Sequence, residues 1–237
     1  ANLAGSAGVM QLENNTTTTI ENANITAKEL EAKAATKSRL INVAGQVSVS
    51  KGKAAAGLAT ATNVLNNTTG AYIYGSKITG KDGNDNTKLT VEADNNSEAY
   101  AIAVGVAAQV AQQGAALNGD VAVNKGVNNT EAIIGKRANG NDNTITNVDD
   151  LDIKAVDNTK LKAISGGVTV STGNAGLGGA VAYNEIGDAN GKQGTVAKLT
   201  DTVIKTDKAT TIDVNAEDTS KMLAIAVGAA VQTGQSG

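Results

Sequence analysis

The chain has 237 residues, of which 41% are hydrophobic but only 2% aromatic; Phe and Trp are absent, so Ala, Val, Ile and Leu must build the core, and that core must be thin. Twenty Lys and Arg against 23 Asp and Glu give a net charge of −3 with both signs interspersed, which offers no phosphate-binding footprint and excludes nucleic acid as an expected partner. The absence of His removes the commonest general base and metal ligand, and the absence of Cys removes disulfides and thiol chemistry.

No proline occurs, so every backbone N–H is available to a β-ladder, and 27 Gly together with Asn, Asp and Thr supply the turns. Ala-rich pieces such as Ala27 to Ala35 have helical propensity, but the alternating pattern around them reads as strand. No run of about 18 apolar residues appears. The opening Ala1-Asn2-Leu3-Ala4-Gly5 has neither an initiator Met nor a charged leader, and the chain is expected to be an internal piece of a longer protein.

In chain order, residues 1 to 35 form a partial repeat that closes on Leu30-Glu31-Ala32-Lys33-Ala34. The same alternation returns at Leu89-Thr90-Val91-Glu92-Ala93, Leu151-Asp152-Ile153-Lys154-Ala155 and Ile212-Asp213-Val214-Asn215-Ala216, at intervals of 59, 62 and 61 residues. First, third and fifth positions are apolar, the period of a strand with one buried face. This divides the chain into repeats of about 36–95, 96–158 and 159–218 and a partial repeat 219–237, all one repetitive segment 1–237. Within the first repeat four strand pieces are expected, Ile41 to Val49, Ala56 to Val64, Gly70 to Ile78 and Lys88 to Ala93. Lys51-Gly52-Lys53 and Asn66-Asn67-Thr68-Thr69-Gly70 punctuate them. The second repeat follows residue by residue, Asn63 matching Asn124, Ala71 matching Ala132 and Ile73 matching Ile134. Insertions at Gly80 to Asn86, Lys136 to Asn143 and Gly187 to Gly194 are expected on the outside, where extra loop length costs little.

Ala101 to Ala108 is apolar at both alternating positions, which predicts a strand covered on both sides. The Gly-containing breaks after such pieces fit hairpins or the corners of a parallel coil. The coil is favoured because like residues recur at near-fixed intervals, so that Leu30, Leu89, Leu151 and Ile212 would stack inward with Glu31, Thr90, Asp152 and Asp213 outward. Sixty residues is long for one circuit, which predicts two or three circuits per repeat.

Three candidate sites arise. Asp149, Asp150 and Asp152 are the densest acidic group, and paired carboxylates can drive glycoside hydrolysis, but alternation puts Asp150 and Asp152 on one wet face away from Tyr72, Tyr74, Tyr100 and Tyr183, the only rings. Lys81-Asp82-Gly83-Asn84-Asp85-Asn86 and Asn139-Gly140-Asn141-Asp142-Asn143 have the oxygens a hard cation needs, but lack the terminal Glu or the nine-residue array of known calcium loops, so no metal is expected. Thr16 to Thr19 and Thr60-Ala61-Thr62 suggest an ice-binding row, which Val121, Val123, Val181 and Tyr183 interrupt in later repeats. The reading assigns no catalytic, cofactor-binding or metal-binding residue and no cofactor.

The phrases Val121-Ala122-Val123-Asn124, Ala180-Val181-Ala182-Tyr183-Asn184-Glu185-Ile186 and Leu223-Ala224-Ile225-Ala226-Val227-Gly228 resemble the repeat regions of leukotoxin-type, filamentous haemagglutinin-like adhesins of Gram-negative anaerobic bacteria. Repeat and resemblance together set the expectations. The fold is all-β, a right-handed parallel β-helix (β-solenoid) of about 60-residue tandem repeats. The function implied is a non-catalytic shaft segment of a large secreted, surface-exposed adhesin, exported by an autotransporter or two-partner route. Its partners would be neighbouring repeats of the same chain, with surface ligands bound through other regions and no membrane-spanning segment here. A carbohydrate-active β-helix enzyme and an ice-binding solenoid are the alternatives.

Overall fold

The computed structural model describes residues 1–81, 86–187 and 194–234. The described residues form fourteen strands and no helix, arranged in three sheets whose strand pairs all run parallel. The front sheet holds β1 (Asn2–Glu21), β4 (Ala54–Tyr74), β7 (Ala115–Gly135), β10 (Ala175–Ile186) and β11 (Gly194–Leu199). A narrow sheet holds β2 (Asn24–Ala27), β5 (Lys77–Gly80), β8 (Asn143–Thr146) and β12 (Thr202–Lys205). The back sheet holds β3 (Glu29–Ser50), β6 (Lys88–Gln109), β9 (Asp150–Ser171), β13 (Thr211–Asp218) and β14 (Lys221–Gln232).

The chain visits front, narrow and back sheets in turn and then returns to the front sheet beside its previous strand. One repeat therefore makes one pass, not the two or three circuits expected from its length. Its long strands of 20 to 22 residues absorb the chain that shorter strands would have spread over several circuits. The breaks at 51–53, 111–113 and 172–174 are corners from back to front sheet, because the strands on either side pair with neighbouring passes in parallel. Passes touch at these corners: a Cβ at Gly173 would lie 2.5 Å from the Gly114 carbonyl oxygen, so only glycine fits there.

The corner from front to narrow sheet needs a left-handed residue, supplied by Asn22 (φ 51), Gly75 (φ 57) and Asp201 (φ 49) on three passes. On the pass between β7 and β8 the insertion occupies this corner, and residues 136–142 are exposed as expected. Residues 82–85 and 188–193 of the other two insertions lie outside the described residues.

The register stacks Leu30, Leu89, Leu151 and Ile212 in one row, and Asn63 on Asn124, Ala71 on Ala132 and Ile73 on Ile134. Leu89 and Leu151 are fully buried and Leu30 is half-buried, while Glu31 and Asp213 are exposed. Two positions differ from expectation. Ile212 is 47% exposed because its strand lies at the edge of the back sheet, and Thr90, though on the outer face, is buried at 5%.

Two long strands of each pass face one another, and their inward residues form three apolar clusters. Against the narrow sheet the core is large: Ile73, Ile78, Leu89, Val91, Ile134, Ile145, Leu151 and Ile153. Mid-strand, Leu40, Leu65, Ala99 and Leu161 pack together. Toward the Gly-containing corners only alanines remain, Ala44, Ala59, Ala61, Ala101, Ala103, Ala122 and Ala163.

Polar rows separate these clusters. Asn63 Nδ2 donates to Asn124 Oδ1 at 2.9 Å, and Asn124 Nδ2 donates to Asn184 Oδ1 at 2.9 Å. Asn67 donates to Ser97 (2.8 Å) and Thr69 to Thr36 (2.7 Å), so Asn66 to Gly70 is strand and not punctuation.

The strand at Ala101 to Ala108 also departs from expectation. Its inward face, Ala101, Ala103, Gly105 and Ala107, is covered, but the opposite face is open: Val104 is 48% exposed, and no layer lies over it among the described residues.

Candidate functional site

The acidic group at the start of β9 does not converge. Asp149 accepts hydrogen bonds from the Thr87 backbone N–H (2.9 Å) and hydroxyl (3.0 Å), which hold its carboxyl below the ordinary carboxylate range and tie down the corner before β9. Asp150 pairs with Lys88 at 3.8 Å, and Asp152 stands on the outer face beside Thr90 and Asp213 of the flanking strands. Asp149 and Asp150 thus have separate polar partners, while Asp152 has the like charge of Asp213 beside it.

In the second Asn/Asp loop, Asp142 pairs with Lys136 at 3.1 Å, whereas Asn143 is buried, accepts from the Ser76 N–H at 2.9 Å and donates to the Gly135 carbonyl. Their oxygens point to different partners. Residues 82–85 of the first loop lie outside the described residues. Among the described residues no group of three or more acidic side chains is placed to hold a metal ion. The threonines split as strand alternation demands: Thr17 and Thr19 are exposed, Thr16 and Thr18 half-buried. Thr60 and Thr62 lie in rows with Val121 and Val123.

The structure assembles a site that the sequence reading missed. Tyr72 and Tyr74, two residues apart on the outer face of β4, stack with centroids 5.5 Å apart and planes 15° from parallel. The Arg137 guanidinium, from the insertion after β7, lies over the Tyr74 ring at 4.7 Å and pairs with Glu21 at 2.7 Å. The Tyr72 hydroxyl donates to Glu131 at 2.8 Å, and burial followed by this acidic partner pushes its pKa up.

Thr17 and Thr19 complete the wall of a shallow pit of about 350 Å³. A sugar platform needs a free ring face, and both rings here are already engaged by protein groups. Arg137 and Tyr72 enclose Tyr74, while Tyr72 lies over Gly70 so closely that a Cβ there would be 2.3 Å from its ring. The stack is a closed clamp that fixes the insertion to the sheet. Only the Tyr-x-Tyr alternation announced it, since Arg137 arrives from a loop 63 residues beyond Tyr74.

A second pit of about 360 Å³ on the back sheet is lined by Lys37, Ser38, Arg39, Asn96, Glu98 and Lys160. Glu98 lies between Arg39 (3.7 Å) and Lys160 (3.6 Å), so one carboxylate offsets part of the charge of the three cations Lys37, Arg39 and Lys160.

Inside, Gln46, Asn118 and Asp120 meet where Gly105 leaves room; a Cβ at Gly105 would fall 2.5 Å from Asp120 Oδ1. Gln46 donates to Asn118, and Asn118 donates to Asp120 at 2.5 Å. Among the described residues Gln46 Oε1 has no hydrogen-bond partner, and burial pushes the Asp120 carboxyl up against the opposing pull of Asn118 and the Ala59 and Gly105 backbone. The space is filled by the side chains themselves, so the cluster is a polar packing layer.

No protein-family model, curated protein or solved structure matches the chain.

Proposed function

We propose that the chain is a structural segment of a secreted, surface-exposed adhesin shaft, and that its three sheets are the walls of a closed right-handed β-solenoid with one coil per repeat. The observation that carries this reading is the uninterrupted parallel register of 22 residue pairs between β3 and β6 and again between β6 and β9. Such a register makes each pass a template for the next. The hand follows from the strong right-handed preference of crossovers between parallel strands.

Support for a non-catalytic role is local: Asp149 and Asp150 are tied to separate partners, Thr87 and Lys88, and the Tyr72–Tyr74 pair is covered by Arg137. The adhesin assignment itself rests on the resemblance of the repeat phrases.

The test is to extend the chain by whole repeats while assaying a panel of acidic and neutral polysaccharides. A shaft segment gains one strand spacing, about 4.8 Å, per repeat in small-angle scattering and cleaves nothing. Polysaccharide cleavage that disappears in Asp150→Asn or Asp152→Asn replaces this reading with the enzyme one.

A further inference from the structure

On the outer face of the back sheet the rows near the narrow sheet carry charge, and those toward the Gly-containing corners are aliphatic. Five rows across β3, β6, β9 and β14, from the row of Ile41 to the row of Val49, contain a single charged side chain, Lys162. Val43 is 66% exposed, Val47 68% and Val227 60%, while the inward residues behind them are Ala, Gly, Ser, Thr, Asn and Gln. The larger aliphatics therefore face out in this half of the sheet.

Same-face residues about 6.8 Å apart on strands about 4.8 Å apart give these twenty positions roughly 650 Å². That is above the size of an ordinary surface patch, about 300–600 Å². Two such faces together bury about 1,300 Å², within the range of about 1,200–2,000 Å² for stable specific complexes.

The central row reads Gly45, Val104, Gly166, Val227 along the stack. A Cβ built on Gly45 or Gly166 meets nothing closer than 3.7 Å, so both glycines are open notches between projecting valines. A twofold axis parallel to the strands, midway between β6 and β9, keeps every row opposite itself and reverses strand order. Val104 then faces Gly166 of the second copy, and Val227 faces Gly45. In the bordering row Tyr100 meets Lys162, a pair already in contact within one chain at 5.2 Å. Glu98 meets Lys160, and Arg39 meets Lys221 at the wet rim, where like charges cost little.

We infer that this aliphatic face is an interface with a second copy of the chain, two back sheets packing face to face about a twofold axis with each valine of the central row in a glycine notch. The inference rests on the register of the back sheet and not on the shaft reading. A twofold interface closes on itself, so it gives dimers; association through strand edges is open-ended.

Sedimentation velocity on the chain, with Val104→Glu and the front-sheet control Val181→Glu, tests it. Val104 is 48% exposed and Val181 55%, and circular dichroism on each variant checks that its strand content is kept. Dimers are expected for the parent and the control, and monomers for Val104→Glu. Singly substituted Val104→Cys and Gly166→Cys chains, mixed and oxidised, should yield a disulfide heterodimer exceeding the homodimer of either alone. End-to-end stacking cannot produce it, because both strands are central. A parent that is monomeric throughout, or polymerises without a dimer stage, overturns the proposal. So does binding to phosphatidylcholine vesicles lost in Val104→Glu, which would assign the face to a lipid surface.

Discussion

Val91 and Ile153 are completely buried, while their neighbours Glu92 and Lys154 stand half-exposed on the other face of the same strands. Val91→Asp or Ile153→Asp places a charge without a partner among Leu89, Ala93 and Leu151 and should cost about 3–5 kcal/mol, on the order of ten degrees in melting midpoint. Glu92→Ala and Lys154→Ala should move it by about a degree or two, as surface substitutions do. Equal shifts for the two classes would refute the inward register.

Two buried acids give stability an unusual pH dependence. Burial pushes Asp157 up although Thr159, Asn95 and Ser220 donate to it, and the nearby Asp218 pushes it further; Asp120 is raised by burial against the Asn118 hydrogen bond. Each carboxyl binds its proton more tightly folded than unfolded. The contribution is therefore fully present below the unfolded carboxylate value, about 3.9, and is lost as pH rises through the folded values. Thermal midpoints should rise on mild acidification from neutral pH, and Asp157→Asn with Asp120→Asn should flatten the rise; an unchanged slope in the double variant would exclude these groups as its source.

Among the elements, alternation located the strand cores well, since Leu30 to Ala34 and its three returns need only a period of two. It failed at Asn66 to Gly70, where Asn67 and Thr69 face inward, because a polar residue bonded inside a ladder has the same composition as one in a turn. It also joined Gly70 to Ile78 across a corner, since a single left-handed residue, Gly75, is a weak break between two Ile-containing runs. The outer aliphatics at Val104 were read as covered because exposed and doubly buried faces look alike in sequence. The asparagine row allows a test at this scale. Asn124→Ala removes the acceptor of Asn63 and the donor to Asn184 from a site with no exposure, and should cost about 1–3 kcal/mol. Chemical denaturation should show it as a lower midpoint with an unchanged slope. A change under about 0.5 kcal/mol would mean that the row is not held by its amides.

At the scale of the whole molecule, the intervals of 59, 62 and 61 residues reappear as the back-sheet register, so tandem repetition was the most legible feature of the chain. The number of circuits was not, because strands of 22 residues exceed the usual five or six and no local signal marks their length. The closed tyrosine clamp was equally hidden, since its arginine belongs to another pass. The separate partners of Asp142 and Asn143 predict that melting is unchanged, within about a degree, by a calcium chelator; a fall of many degrees would show a bound ion. One pass spends about sixty residues to advance the stack by a single strand spacing, about 4.8 Å, while its longest strands extend roughly 70 Å sideways. An advance of about 100 Å would consume on the order of 20 passes, well over a thousand residues, whereas an α-helix covers 30 Å with twenty. Synthesis of such a body yields flank area rather than length: a broad plank that thickens slowly, whose two wide sides meet the surroundings far more than its tip does.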